Sequence, residues 1–591
     1  MRSRTVKIAV ALALGAPLAV VSPAWAQSGP IEVTTTVDSV DAKPGDGECA
    51  DSSGECSLRA AIQEANASSG ATIRLADGVT YVLQIAGASE DSAATGDLDI
   101  TSAIRILGNG ARVDANGLDR AFDVLAGASL SVEELDVFGG VTPSGQSGGA
   151  FQSAGELRIS DSRLGRNVAE GPMSSGGAVF NAGGVLVVKD TVMQQNRATR
   201  AGGAIEANAG TTSLDRVRLI ENATGPGPGN GGGFHRTGAG TVDVVRSEVT
   251  GNTASAEGGG RWNSATGTMT VVNTELRDNT ASGNDADQGG GGLFNDGGRL
   301  TVRSTEIAGN VADGTAGSGG GILNNQGILD VRASTIADNT AVRAGGGVEA
   351  NVGTTTLTAV RLVDNDTGPT PGNGGGFHLT GAGTVDVTNS RVTGNTASAE
   401  GGGLWNSAVG TMTVSFSQFS GNIAGGDAAD QGGGALFNDG GRLTIERSVI
   451  RGNDADGTSG SGGGVLNNMG ELKITSTVIS ANSATRAGGG IEAVVGNTTL
   501  ERVVLVRNTT GDNPGNGGGL HLTGAGVVTI DRSTVVANTA ANEGGGLWNS
   551  ATGTMTVTRS VVVANRAPVG PDVFNDGGTF ALNGRPVEPT P

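Results

Sequence analysis

One set of residues with chemistry to offer returns three times in this chain. Glu206, His235 and Trp262 recur as Glu349, His378 and Trp405, and again as Glu492, His521 and Trp548, each set 143 residues after the last. They include all 3 histidines of the sequence and, apart from Trp25, all of its 4 tryptophans. Each stands second after a glycine-rich triplet, as in Gly231-Gly232-Gly233-Phe234-His235, and so do Phe180, Phe294, Leu323, Phe437 and Leu466. Alternate side chains of an extended segment point to opposite faces, so if the residue directly after the triplet faces a core, the next faces outward. An exposed outward column of this composition suits sugar rings. Their apolar faces stack on indole, while carboxylate and imidazole take up hydroxyl hydrogen bonds. Three such patches in series would add avidity along a polymer. A one-residue change of phase would instead put Phe, Leu and Trp in the core, and would also bury Glu206 and His235 there without obvious partners.

Catalysis asks for more than this column supplies. Glu206 and His235 could pair as acid and base, but a hydrolase needs two carboxylates on one face and a lyase needs a base beside a cation. After residue 26 the only lysines are Lys43, Lys189 and Lys473, and the one tyrosine is Tyr81. A triplicated site argues for binding, so no residue is assigned a catalytic role and no cofactor is required. The acidic loops offer a different chemistry. Asp285 and Asp287 recur as Asp427 and Asp430, oxygen ligands that suit Ca2+ unless they are simply solvated loop charge. The 2 cysteines, Cys49 and Cys56, read as a local disulfide, because no other thiol or histidine is near enough in sequence to complete a metal site.

The elements that hold this column must be short strands. Glycine makes up 105 of 591 residues, which excludes a helical solenoid, and Val/Ile/Leu segments recurring on schedule between the glycines exclude disorder. Each 143-residue unit contains five shorter repeats, with triplets beginning at Gly202, Gly231, Gly258, Gly290 and Gly319. Within one of them Leu300 and Val302 alternate with Thr301 and Arg303, the period of a half-buried strand. The closing phrase Ile307-Ala308-Gly309-Asn310 returns as Val249-Thr250-Gly251-Asn252 and Ile336-Ala337-Asp338-Asn339. Glycine supplies the positive φ of tight corners, and asparagine repeated at one corner can stack its amides from coil to coil. The prediction is an all-β fold, a right-handed parallel β-helix solenoid. About sixteen rungs would stack to roughly 75 Å at strand spacing. A β-propeller would need blades of ~40 residues. Over residues 57–66, Leu58, Ala61, Ile62 and Ala65 share one face of an amphipathic helix that can cover the first coil.

Residues 1–26 read as a secretory leader: Arg2, Arg4 and Lys7, an apolar run over residues 8–21, and Ala24-Trp25-Ala26 before Gln27. The chain then divides into a cap (27–69), diverged coils (70–147), the repeat β-helix (148–580) and a tail (581–591). With a formal net charge of −20 and no basic run, nucleic acid is excluded as a partner. After the leader no apolar run reaches the ~18 residues needed to span a bilayer.

The segment Cys56-Ser57-Leu58-Arg59-Ala60-Ala61-Ile62 resembles the "CSLREA" signature of exported bacterial β-helix proteins, with Ala60 where that pattern has Glu. Gly148-Gly149-Ala150-Phe151, Gly176-Gly177-Ala178-Val179 and Gly202-Gly203-Ala204-Ile205 resemble the repeats of chlamydia-type polymorphic outer-membrane proteins. The companion "FxxN" motif is absent; Phe294-Asn295 and Phe437-Asn438 are adjacent instead. The resemblance implies a pectin-lyase-like β-helix at a cell surface or outside the cell. The reading that follows is an exported recognition protein binding glycans or another surface, an adhesin in the broad sense. A pectate-lyase-like polysaccharide lyase is the alternative, and a structural scaffold is the third.

Overall fold

The computed structural model describes residues 29–88 and 90–591; the leader and its cleavage site lie outside the described residues. The chain folds as an all-β parallel solenoid of the right-handed type with about 18 turns. One turn runs through Leu293–Asp296, Arg299–Arg303, Glu306–Ala308 and Val311–Ala312. These pair in parallel with Ile322–Asn325, Ile328–Arg332, Thr335–Ala337 and Thr340–Ala341 of the next turn. Three sheets result, because the two middle segments belong to one bent sheet. The register sets core residue on core residue: Leu293 on Ile322, Leu300 on Leu329, Val302 on Val331 and Ile307 on Ile336. All eight are buried. Each such side chain contributes ~1.5–3 kcal/mol by leaving water, and it does so only against the turns above and below.

The glycine triplet has a separate reason at each position. Gly258 has φ +65°, and a β-carbon there would lie 3.0 Å from Cβ of Trp262 in the outward column. A β-carbon on Gly259 would come within 2.5 Å of the Gly291 carbonyl oxygen, and one on Gly260 within 2.5 Å of the Gly292 carbonyl oxygen. At the second position only glycine lets successive turns approach this closely, whereas the third also takes alanine, as at Ala204 and Ala435.

Behind the triplet runs an unbroken asparagine ladder from Asn167 to Asn565. At Asn339, both the backbone N–H (3.2 Å) and Nδ2 (2.9 Å) donate to Oδ1 of Asn365, and Nδ2 also donates to the Ile307 carbonyl at 3.0 Å. Each rung therefore satisfies its buried donors with the next rung's acceptor. The ladder ends on Asp572, whose Oδ1 accepts both donors of Asn565.

Glycine is not the residue that bends the middle sheet. Arg216, Arg246, Asn273 and Ser304 hold positive φ there, between 49° and 55°. The corner-turning role expected of glycine is thus shared with residues that prefer other conformations. The strain is sustained because the adjoining residues are pinned: the Thr305 hydroxyl donates to the Arg303 carbonyl at 2.9 Å, and the ladder fixes Asn310.

Helix α1 (Leu58–Ala67) closes the N-terminal end. Ser57 caps it by accepting the Ala60 N–H at 2.9 Å, and Leu58, Ala61, Ile62 and Ala65 are buried against the first coil. Arg59 is fully buried and pairs with Asp38 at 2.7 Å. Cys49 and Cys56 form a disulfide beside the helix start. Among the described residues, no helix is long and apolar enough to cross a membrane.

Candidate functional site

The Glu–His–Trp column lies outside the core. Phe234 and Ile205 belong to the core, while Trp262, Phe294 and Leu323 form an apolar cluster of their own. The register runs Glu206, His235, Trp262, Phe294, Leu323, Glu349 on consecutive turns. The expected exposure is corrected by the structure. Glu206, His235, Glu349, His378, Glu492 and His521 are all buried, and Trp262 and Trp548 are only 8% and 9% exposed; Trp405 is half-buried.

The column hides itself. His235 stacks on Trp262 at 4.3 Å and 19°, and Trp262 on Phe294 at 6.1 Å and 8°. The second and third copies repeat this with His378, Trp405 and Phe437 and with His521, Trp548 and Phe574. Both faces of each indole are occupied by rings of neighbouring turns, which leaves no face for a sugar. The polar atoms are also taken. His235 Nδ1 lies 2.7 Å from Glu206 Oε2, whose other oxygen accepts the Thr237 hydroxyl. The Trp262 indole N–H donates to Glu257 at 2.9 Å, as Trp405 does to Glu400 and Trp548 to Glu543. Burial pushes the Glu257 carboxyl up to about 7, with Asp296 and Asp287 adding to the rise against the indole hydrogen bond. Glu400 is likewise pushed up to about 7 by burial, with Asp439 and Asp430 beside it.

The proposed calcium ligands Asp285, Asp287, Asp427 and Asp430 are exposed on loops. Asp427 accepts the N–H and hydroxyl of Thr458 in the next turn at 2.8 and 2.9 Å, which ties one loop to another. Among the described residues, the carboxylates that come within 4.8 Å of one another as a group of three are Asp97, Asp99 and Asp123 instead.

Asp99 and Asp123 are the N-terminal end of the same column, and Asp97 lies two residues before Asp99. The column's register continues from Phe180 to Gln152, Asp123 and Asp99, and here it opens into a cleft of about 470 Å³ lined by Asp97, Arg120, Asp123, Gln146, Gln152 and Phe180. Arg120 sits among the acids, with Nε 2.8 Å from Asp97, Nη1 3.4 Å from Asp123 and Nη2 on Gln146. Gln152 donates to Asp123 at 2.9 Å, and Asp99 accepts the Ala93 N–H at 2.8 Å. Burial pushes Asp97 up to about 8, over the opposing pull of Arg120, and Asp99 up to about 7. Burial raises Asp119 and Asp123 as well. At neutral pH Asp97 therefore holds its proton more readily than an ordinary carboxyl and can donate into the cleft. Three carboxylates at this spacing also suit a divalent cation, but Arg120 already pairs with two of them, so a cation would have to displace it.

Sequence reasoning missed this end because Asp99 and Asp123 have no glycine triplet ahead of them. The usable signal was the core-then-variable pair: Leu98-Asp99, Phe122-Asp123 and Phe151-Gln152 repeat the pattern of Phe234-His235.

No family model and no curated protein matches this chain. Among solved structures, two mutant forms of the tailspike protein of E. coli bacteriophage HK620, both in complex with pentasaccharide, align over 92% of this chain and 80% of theirs. Identities are 12% and 14%, and TM-scores 0.22 and 0.20. At such scores the backbones do not superpose, and the architecture rests on this chain's own strand pairing.

Proposed function

We propose that this protein is an exported β-helix that binds glycan chains at a cell surface or outside the cell, and that it does so at the N-terminal end of its outward column. The observation that carries this reading is the run Asp123, Gln152, Phe180 on three consecutive turns, open to a cleft of about 470 Å³, with the buried Asp99 on the turn before them. Carboxyl and amide groups pair with vicinal hydroxyls, and the half-buried Phe180 ring supplies the apolar platform. The sealed Glu–His–Trp copies then act as a rigid spine rather than as the contact surface.

A second reading, cleavage of the bound polysaccharide, is favoured by one feature. Asp97, neutral near pH 7, stands beside ionisable Asp123 with Arg120 between them, the pairing that acid–base chemistry uses.

The test is retention of the full chain on a panel of immobilised neutral and charged polysaccharides, beside Phe180→Ala, Asp123→Asn and Trp405→Ala variants that stay folded. The reading requires retention that Phe180→Ala and Asp123→Asn abolish and Trp405→Ala leaves intact. Retention lost only in Trp405→Ala, or none on any polymer, would overturn it. Product analysis separates the second reading: unsaturated ends mark a lyase, new reducing ends a hydrolase.

A further inference from the structure

A second indentation lies on the opposite limb of the same early turns, on the bent middle sheet, and its residues carry the other sign of charge. Arg112, Asp136 and Arg163 are stacked in register on three consecutive strands, and Arg166 follows at the next corner with φ 56°. One acid thus faces three guanidinium groups in a chain whose net charge is −20. Arg112 approaches Asp136 only to 3.8 Å. Arg166 reaches Gln195 only at 3.5 Å. Among the described residues Arg163 has neither an ion pair nor a hydrogen bond from its side chain.

One glycine lines the indentation where the neighbouring turns carry larger side chains. Gly165 lies between Phe138 on the preceding turn and Gln194 on the following one, and the turn after that carries Ile220 at the same place. Its φ is outside the left-handed region, and a β-carbon there would meet nothing closer than 3.7 Å. Neither backbone nor packing demands glycine here, in contrast to the triplet glycines. Gly165 is one lining residue of a notch of about 290 Å³ walled by Phe138 and Gln194 and rimmed by Arg163 and Arg166.

We infer that this notch binds a single sugar residue bearing an anionic group, a carboxylate or a sulfate, on the glycan that the proposed function assigns to the protein. Guanidinium groups take oxyanions bidentately, and the half-buried Phe138 ring offers a stacking face for the pyranose. The positive potential is local: at physiological ionic strength it is screened from the distant acidic surface over ~8 Å. The inference rests on the glycan-binding reading but uses none of the residues that line the acidic cleft, so the two fail separately.

The experiment is calorimetric titration of the full chain with trigalacturonate, a sulfated trisaccharide and neutral maltotriose at low salt. At least one charged trisaccharide binds and maltotriose does not; which of the two binds more tightly identifies the anionic group. Gly165→Gln, which puts a side chain into the notch without backbone strain, and Arg163→Gln/Arg166→Gln each weaken that binding at least about tenfold. Raising salt from about 50 to about 500 mM weakens it as well. Asp123→Asn/Phe180→Ala leaves it unchanged. If the double arginine variant fails to fold, Gly165→Gln carries the result, because its melting curve stays that of the wild type. Binding of neither charged trisaccharide, equal binding of maltotriose, or unchanged affinity in Gly165→Gln would overturn the inference.

Discussion

Replacing Arg261 with leucine should stabilise this solenoid, and the protein contains its own reference for the change. Arg261 is fully buried at a core position, where the second and third copies carry Leu404 and Leu547. None of its three side-chain nitrogens has a hydrogen-bond partner. Its one polar compensation is the Phe234 ring, 5.5 Å from the guanidinium carbon. An uncompensated buried charge costs about 3–5 kcal/mol, a desolvated cation–π contact returns about 2 kcal/mol, and a leucine in its place adds about 1 kcal/mol beyond the apolar stem already buried. The net gain for Arg261→Leu is about 2–4 kcal/mol. Because a solenoid's stability is a sum over turns and their interfaces, the gain should appear locally. Amides of residues 231–263 should exchange about 30- to 900-fold more slowly in the variant, while those of 374–406 stay unchanged. Leu404→Arg should reverse the effect in the second copy. pH supplies an independent arm. Burial pushes the Arg261 guanidinium down to about 9, so between there and its unfolded value near 12.5 the unfolded chain binds the extra proton, and stability rises with pH. The difference between wild type and Arg261→Leu should therefore narrow above about pH 9. Equal protection in both proteins, or an unharmed Leu404→Arg, would refute the reasoning.

Three further outcomes follow from the same geometry. Asn365→Ala should destabilise by about 3 kcal/mol or more, since it orphans the two Asn339 donors and the Ile336 carbonyl; hydrogen exchange of the adjoining turns measures it, with collapse of protection nearest residue 365. Gly346→Ala should damage folding although its φ is ordinary, because the new β-carbon would lie 2.3 Å from the Asp366 carbonyl oxygen; Gly165→Ala should melt like the wild type in the same denaturation series. Raised carboxyls at Glu257 and Glu400 bind protons in the folded state that the unfolded chain has released, so their contribution to stability is present below about pH 4.5 and is lost as pH rises to about 7. A Glu257→Gln/Glu400→Gln variant should show a flatter stability profile across that window in denaturant titrations.

Much of the fold was legible because it is a matter of period. The 143-residue step, the alternation of Leu300 and Val302 with Thr301 and Arg303, and the recurring Asn310 and Asn339 are one-dimensional signals, and a solenoid stacks one dimension. The phase of the outward column could also be read, since alternation fixes which side of a strand His235 occupies. Its burial could not. Exposure there depends on rings stacking across turns and on Glu257 bending over the Trp262 edge, contacts between residues that periodicity aligns but does not bring into touch. The acidic cleft was obscured for a related reason: Asp99 and Asp123 occupy the column without the triplet that marks it elsewhere. Arg261 and Gly165 were silent in sequence, one an ordinary-looking departure from leucine, the other a glycine among 105.

The most direct test of the glycan-binding account is a hydrogen-exchange footprint of the full chain with and without the polysaccharide that retains it. The account predicts protection gained over residues 90–99, 119–123 and 145–152, with the Glu–His–Trp turns at 202–263, 345–406 and 488–549 unchanged. Protection gained at those three turns instead, or no change at the N-terminal cleft, would contradict it.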